Sequence, residues 1–263
     1  MIKAVIFSLD DTLYPEKEYV ESGFLEVAKY LAGYFNELNE VEVYCHLITI
    51  FQTGVRGNNI FNLVLDVLNV PQNNGLIQEL VQVYQEHLPR INPYPDCLPN
   101  LIKLKKKGYL LGIITDGWAE AQRKKIDALG IVDYFNSIIY TDDYGGEDRR
   151  PAQYPYQLSL SELKIFSDQA LYVVGDKPSK NFVGARALGL YTILISRRGE
   201  KHRGVRMETF CSEADAVTYS LSGLWKIIRW LQSWHNLCTT GRLVQTPRLP
   251  EYRFKVGKHK IQL

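Results

Sequence analysis

The chain has 263 residues, of which 46% are hydrophobic and 23% are charged, a balance typical of a soluble globular protein. Its 31 Lys and Arg residues nearly balance 29 Asp and Glu residues, so a bulk charge of +2 does not indicate nucleic acid or a membrane surface as a partner. Because the sequence lacks an apolar run near the ~20 residues that span a bilayer, a signal-peptide pattern and paired cysteine motifs, we expect a cytoplasmic protein.

The first residues of the chain predict a strand that is buried on both faces. Positions 3–7 have the sequence KAVIF, without the alternation of polar and apolar residues that marks a half-exposed strand. A polar cluster that contains Ser8, Asp10 and Thr12 follows at once. In an open α/β sheet, ligands bind outside the carboxyl ends of the strands, so this cluster lies where chemistry is expected.

Four helices are predicted between this strand and the next one. Apolar residues recur every three or four positions from residue 20 onward, and glycines and prolines separate the helical stretches. Since no strand is predicted among them, we expect residues 15–90 to form a helical unit inserted into the main domain. The proline-rich stretch 89–96 is expected to be the hinge that leads back.

Strand and helix alternate in the second part of the chain, which indicates a parallel sheet. We predict strands at residues 109–115, 137–140, 170–174, 191–195 and 214–217, and a last helix over 221–231. The predicted fold class is therefore α/β, a doubly wound, Rossmann-like parallel sheet. It comprises residues 1–14 and 91–234, with the helical unit inserted at 15–90.

Two basic stretches follow the predicted fifth strand. Arg197 begins the first, which we expect to be a solvated loop, with contact to an anionic ligand as the alternative. The second is the end of the chain, where residues 241–263 carry six Lys or Arg residues and one acidic residue. We expect the extension 235–263 to pack on its own core or on a second copy of the chain. A protein partner is the next alternative, and nucleic acid comes third because no recognised nucleic-acid module is present.

Polar residues at the ends of the predicted strands resemble the motifs of the haloacid dehalogenase superfamily, in the family's order. The first motif of that family is a hydrophobic strand followed by Asp-x-Asp-x-Thr. Asp10 and Thr12 match this motif, whereas Ser8 stands where the family has its nucleophilic Asp. The resemblance covers residues 1–234 and extends to the helical insertion, which matches the helical cap of the C1 branch of subfamily I.

The second motif of the family is matched by the sequence IITDG, which ends the predicted second strand. The resemblance implies that Thr115 and the backbone of Asp116 and Gly117 hold a phosphate, together with Thr12. A helix N-terminus that follows a strand is also an anion site on physical grounds. Helix N-capping would explain a threonine at position 115 about as well.

The third motif of the family is a Lys before Pro that neutralises the nucleophile and the phosphate. Arg150 takes that place here, before Pro151. Arg keeps the positive charge and can hold phosphate with two N–H groups, but its reach and shape differ from those of Lys. The resemblance therefore implies a catalytic and phosphate-binding role for Arg150.

The fourth motif supplies carboxylates that hold Mg²⁺ in the family. Asp176 matches its first acid within the sequence GDKPSKN, and Asn181 replaces its second acid. The implied metal ligands are then Asp10, Asp176 and Asn181. Because Mg²⁺ prefers anionic oxygen ligands, two neutral residues at positions 8 and 181 predict a weakened or absent metal site.

The replacement at position 8 decides the predicted function. The family's Asp forms an aspartyl-phosphate, and the second acid of the first motif, here Asp10, acts as the acid and base. Removing a nucleophile can cost on the order of 10⁴–10⁶ in rate. We therefore expect a pseudo-phosphatase that binds a phosphorylated small molecule or a protein partner. The alternative is an active Mg²⁺-dependent phosphohydrolase of a small metabolite such as a sugar phosphate or nucleotide.

Overall fold

A computed structural model describes residues 1–57, 59–145, 150–176, 178–197 and 214–239 of the chain. The basic end of the chain, residues 241–263, lies outside the described residues. The roles predicted for it, which are packing, self-association and partner binding, therefore stay predictions.

The described part of the chain contains six parallel strands in the order β3-β2-β1-β4-β5-β6. This arrangement confirms the predicted α/β fold with a doubly wound parallel sheet, and each strand lies within two residues of its predicted bounds. The strands are β1 (Ala4–Phe7), β2 (Leu110–Thr115), β3 (Ser137–Tyr140), β4 (Ala170–Val174), β5 (Tyr191–Ile195) and β6 (Ala216–Thr218).

Helices connect the strands, and the predicted group of four lies between β1 and the later strands. The last helix begins three residues after its predicted start, because a short 3₁₀ turn precedes it. The helices are α1 (Glu16–Tyr34), α2 (Glu40–Gln52), α3 (Asn59–Val67), α4 (Asn74–Glu86), α5 (Cys97–Lys106), α6 (Ala119–Ala128), α7 (Tyr154–Leu163), α8 (Pro178–Ala187) and α9 (Leu224–Thr239).

Strand β1 lies at the centre of the sheet, between β2 and β4. Its four residues are fully buried, as the unbroken apolar sequence predicts. The chain builds the sheet outward from β1 to β3 on one side and then returns to add β4 on the other side. The strand order thus reverses direction between β1 and β4. In doubly wound folds, ligands bind at the carboxyl ends of the strands on either side of such a reversal.

The chain divides into two compact units, each with its own interior. One unit contains residues 14–93 and 117–132, and the other contains the sheet with the remaining described residues. The interior of the helical unit consists of apolar side chains at helical spacing, such as Phe24, Leu31, Leu47 and Leu80. The predicted role of residues 15–90 as a cap stays a prediction.

Helix α6 packs with the helical unit, although the sequence analysis assigned it to the main domain. The Nζ atom of Lys124 donates a 2.7 Å hydrogen bond to the carbonyl of Glu86. The Nζ atom of Lys125 lies 4.1 Å from the centre of the Tyr19 ring. Two cationic side chains of α6 therefore attach this helix to α1 and α4, a connection that local periodicity does not predict.

Within the described residues, the model contains no helix that combines the length and the apolar character needed to cross a membrane. The cytoplasmic location expected from the sequence stays a prediction.

The loops after β1 and β4 approach each other very closely. Asp11 adopts a φ of 54°, in the left-handed region, within a turn where the N–H groups of Thr12 and Leu13 both donate to the carbonyl of Leu9. A Cβ atom at Gly175 would lie 2.0 Å from the carbonyl oxygen of Asp11. The N–H of Gly175 instead donates to Thr12 Oγ1 at 2.7 Å. The close approach of these loops therefore requires glycine at position 175.

We expect Gly175→Ala to lower the free energy of unfolding by about 3 kcal/mol, because the added methyl group forces two packed backbone segments apart. Urea unfolding followed by circular dichroism measures the change. The matched control is Gly33→Ala on α1, where a Cβ atom has no neighbour within 4 Å and should leave stability equal or slightly higher. Equal stability of Gly175→Ala and the natural chain would contradict the described loop packing.

Candidate functional site

Ser8 follows β1 directly and is held by the neighbouring strand and loop. Its backbone N–H donates to the carbonyl of Val173 at 2.9 Å, which continues the pairing with β4 by one residue. Its hydroxyl lies 3.2 Å from the hydroxyl of Thr12, and both side chains are buried. Among the described residues, Ser8 Oγ thus pairs with another hydroxyl group, which is far too weak a base to activate a nucleophile. Asp10 lies in the same loop and is partly exposed.

Thr12, predicted to bind phosphate, connects three segments of the sheet unit. Its hydroxyl accepts the N–H of Gly175, and its carbonyl accepts a 2.7 Å hydrogen bond from Arg197 Nη2. Arg197 also donates to Asp96 Oδ1 at 2.7 Å and lies over the ring of Tyr94 at 4.0 Å. The expectation that Arg197 is solvated is wrong, since this buried guanidinium ties the loop after β1 to the start of α5.

Asp116 lies at the end of β2, directly after the buried Thr115, and collects several donors. Its carboxylate accepts hydrogen bonds from Thr141 Oγ1 at 2.9 Å and Lys180 Nζ at 3.0 Å. The Nε atom of Arg150 lies 3.1 Å from the same carboxylate. Burial raises the pKa of Asp116, but Arg150 and Lys180 lower this pKa by more, so the carboxyl is ionised at neutral pH.

Gly117 comes next in the chain and has a φ of 123°, a conformation that favours glycine. A Cβ atom there would lie 2.8 Å from the Nε2 atom of Gln122. The backbone conformation and the nearby Gln122 side chain therefore account for glycine at position 117. The phosphate-binding role predicted for Thr115, Asp116 and Gly117 stays a prediction.

The side chain of Arg150 points into the interior of the sheet unit. It is only 7% exposed, and its Nη1 atom donates to the hydroxyl of Tyr172 on β4. Its Nε atom forms an ion pair with Asp116, in a direction that falls short of a hydrogen bond. The aromatic ring of Tyr156 packs edge-to-face on Tyr172, with ring centres 5.1 Å apart. Arg150 thus occupies the motif position at which the family has its phosphate-binding Lys, and its side chain contacts the core.

Asn181 and Asp176 contact each other at the start of α8. The Nδ2 atom of Asn181 donates to the carbonyl of Asp176 at 2.9 Å and to its carboxylate at 3.3 Å. The carbonyl of Asn181 accepts the hydroxyl of Tyr156 at 2.5 Å. An acid at position 181 would set a second negative charge beside Asp176, which a cation would have to offset. The amide of Asn181 is neutral and donates a hydrogen bond to Asp176, so no cation is needed to offset a second charge.

The predicted metal ligands are two acids and one amide, and their role stays a prediction. Among the residues that the structure describes, no three His, Cys, Asp or Glu side chains lie together as a metal site would require. Of the predicted ligands Asp10, Asp176 and Asn181, the last directs an N–H donor at its neighbour. Mg²⁺ needs oxygen ligands in near-octahedral geometry, so this donor set does not fit the ion.

Lys180 is the residue of this site that sequence reasoning missed. It lies in the first turn of α8, its side chain is 44% exposed, and it contacts Asp116. A lysine at a helix N-terminus is unfavourable with respect to the helix dipole. A lysine in the first turn of a predicted helix, directly before the motif position 181, is therefore the sequence signal that could have indicated an acidic partner.

Three comparisons with known proteins agree with one another. Residues 5–195 match the family model described as haloacid dehalogenase-like hydrolase. The chain is 31% identical over 204 residues to the glyceraldehyde 3-phosphate phosphatase of Methanopyrus kandleri, covering 76% of this chain and 86% of the relative. The same-named protein of Methanocaldococcus jannaschii is 30% identical over 197 residues, covering 74% and 85%. The crystal structure of a HAD phosphatase from Thermococcus onnurineus has a TM-score of 0.57 at 25% identity, over 86% of this chain and 98% of that one.

We expect Arg150→Leu to lower the free energy of unfolding at pH 7 by about 3 kcal/mol, because Asp116 and Tyr172 lose a buried partner. The loss lies at the low end of the usual range since Asp116 keeps Lys180. The lowered pKa of Asp116 stabilises the fold above the carboxyl's ordinary value of 3.8, and this stabilisation is lost as the pH falls through the folded-state pKa.

Chemical unfolding of Arg150→Leu and the natural chain should therefore show a difference that shrinks as the pH is lowered from 7 toward 3. The control is Lys106→Leu, at an exposed position of α5, which should change stability by no more than about 0.5 kcal/mol. An equally small effect of Arg150→Leu would contradict the buried ion pair.

Proposed function

The chain belongs to the haloacid dehalogenase-like hydrolases, and we propose that it is a catalytically impaired member that binds a phosphorylated small molecule. The observation that carries the proposal is the environment of Ser8. Its buried hydroxyl pairs with the hydroxyl of Thr12 at the position where the family's motif has a carboxylate nucleophile. The fold and the anion-binding elements of a phosphatase are kept, while the group that attacks phosphorus is replaced.

Two chemical reasons make Ser8 a poor substitute for the aspartate. A serine hydroxyl is protonated at neutral pH, so its attack on phosphorus needs a base within hydrogen-bond reach. The hydroxyl partner of Ser8, Thr12, is already engaged as the acceptor of the Gly175 N–H. The pair therefore holds the loop in place and does not supply a base.

The pair formed by Asp176 and Asn181 supports the same proposal. HAD phosphatases generally use Mg²⁺, which neutralises the phosphate and the nucleophile. In this chain the amide of Asn181 donates to the carboxylate that would bind the ion. The site is thus stable with a single acid at this place, and binding of a phosphorylated ligand would depend on protein cations.

The ligand class follows from the relatives and from the charges at the sheet edge. The curated relatives are named for the hydrolysis of glyceraldehyde 3-phosphate, a small phosphorylated compound. Lys180 and Arg150 bring two positive charges to one acid, Asp116, at the end of β2. We infer a small phosphorylated metabolite as the ligand, in preference to a protein or nucleic acid.

The second candidate function is an active phosphohydrolase of the same ligand class. It is favoured by the identity of 31% to a phosphatase over most of both chains. Asp10 is also kept as the possible acid and base. This function would need a nucleophile other than the family's aspartate, and turnover measurements separate it from the leading proposal.

We expect the natural chain to release phosphate at least about 10³-fold more slowly than the double variant Ser8→Asp/Asn181→Asp, which restores the nucleophile and the second acid of the fourth motif. The assay measures phosphate release from p-nitrophenyl phosphate and glyceraldehyde 3-phosphate with Mg²⁺. Adding Asp10→Asn to the double variant should abolish its activity, which ties turnover to this site. Comparable rates in the natural chain and the double variant would refute impairment and support the active phosphohydrolase.

We expect Mg²⁺ to raise the thermal unfolding midpoint of Asn181→Asp but not that of the natural chain. A second carboxylate beside Asp176 is repulsive without a cation, so an ion that binds only the folded variant stabilises it by mass action, by about 2.7 kcal/mol at one hundred times Kd. Scanning fluorimetry with Mg²⁺ and with EDTA measures both shifts. An equal Mg²⁺ shift in the natural chain would show that its donor set binds the ion after all.

A further inference from the structure

We propose that Lys180 is the residue that binds the phosphate of the ligand, while Arg150 serves the fold. The inference rests on the proposed function, since it requires that the site binds a phosphorylated small molecule. It assigns the phosphate contact to a lysine of α8 instead of the arginine that occupies the place of the third motif.

The two cations lie on opposite sides of one carboxylate. Arg150 approaches Asp116 Oδ1 from the interior, with a side chain that is 7% exposed. Lys180 approaches Asp116 Oδ2 from the outside, with a side chain that is 44% exposed. A ligand that arrives from solvent can therefore reach the ammonium group of Lys180 without any rearrangement of the core.

Arg150 is held in its interior position by several contacts. Its Nη1 atom donates to Tyr172, whose ring lies in the apolar core beside β4. Its backbone is restrained as well, because a Cβ atom at Gly184 of α8 would lie 2.5 Å from the carbonyl oxygen of Pro151. Turning the guanidinium outward would take a buried donor from the Tyr172 hydroxyl and the buried cation from Asp116, which is costly.

Lys180 can bind an anion while it keeps its contact with Asp116. An ammonium group has three N–H donors, and the hydrogen bond to Asp116 Oδ2 uses one of them. Asp116 then fixes the direction of the lysine and leaves donors for the ligand. The position of Lys180 in the first turn of α8, a ten-residue helix, adds the positive end of the helix dipole to its own charge.

The charge count at the site agrees with this role. Among the described residues, the carboxylate of Asp116 faces the charges of both Arg150 and Lys180. A phosphate dianion placed against Asp116 needs a cation between the two negative groups. Lys180 is the side chain that already has this intermediate position, because it bonds the outer oxygen of the carboxylate.

The test is isothermal titration calorimetry with inorganic phosphate and with glyceraldehyde 3-phosphate, in buffer with EDTA, on the whole chain. We expect Lys180→Gln to raise the Kd at least tenfold, as the loss of a charged hydrogen bond does. Lys180→Arg should restore most of the affinity. Lys106→Gln, at an exposed position of α5, is the matched control and should bind as the natural chain does. The unfolding free energy of Lys180→Gln should change by less than about 1 kcal/mol, since the ion pair is partly solvated.

The outcomes separate the inference from the proposed function. Equal affinity of Lys180→Gln and the natural chain would overturn the role of Lys180 and leave phosphate binding standing. Failure of the natural chain to bind either probe would overturn the proposed function and this inference together. Lost affinity that comes with a large loss of stability, and that Lys180→Arg does not restore, would assign Lys180 a structural role and overturn the inference as well.

Discussion

The carboxylate of Asp116, at the end of β2, holds together segments that follow β3 and β4. It accepts the hydroxyl of Thr141 after β3 and the ammonium of Lys180 on α8, and it pairs with the guanidinium of Arg150 ahead of α7. Without this acid, Arg150 would be a buried charge that, within the described residues, pairs with the neutral hydroxyl of Tyr172, which is strongly destabilising. The geometry of the whole carboxyl edge therefore depends on one ionised group at the end of β2.

At two positions of the site, a neutral residue that forms a hydrogen bond stands where the family's motifs have an acid. Ser8 pairs with Thr12, and Asn181 pairs with Asp176, so neither replacement leaves a buried polar atom without a partner. An acid at each of these positions would instead require a cation to offset it. The two replacements are thus consistent with each other, because each is satisfied by a hydrogen bond within the chain.

Strands β1, β2 and β4 could be predicted because each is a largely apolar sequence followed by polar residues, and the same pattern indicated a site at their carboxyl ends. The surroundings of the site residues could not be predicted, because they depend on packing between distant segments. The contact of Arg150 with Tyr172 and that of Lys180 with Asp116 both join residues far apart in the sequence, and the predicted phosphate-binding role of Arg150 stays a prediction. Helix α6 was placed in the main domain because its position after β2 carries no information about which core it joins.

Thr12 illustrates how a residue of a catalytic motif can also serve the fold. Its hydroxyl accepts the N–H of Gly175, and its carbonyl accepts Arg197, and neither contact involves a reacting group. Selection for a folded chain alone would preserve this threonine, and also the glycine that makes room for the loop. An intact Thr12 in a related sequence is consequently evidence about folding, and the residue at position 8 is the better guide to whether that sequence encodes an enzyme.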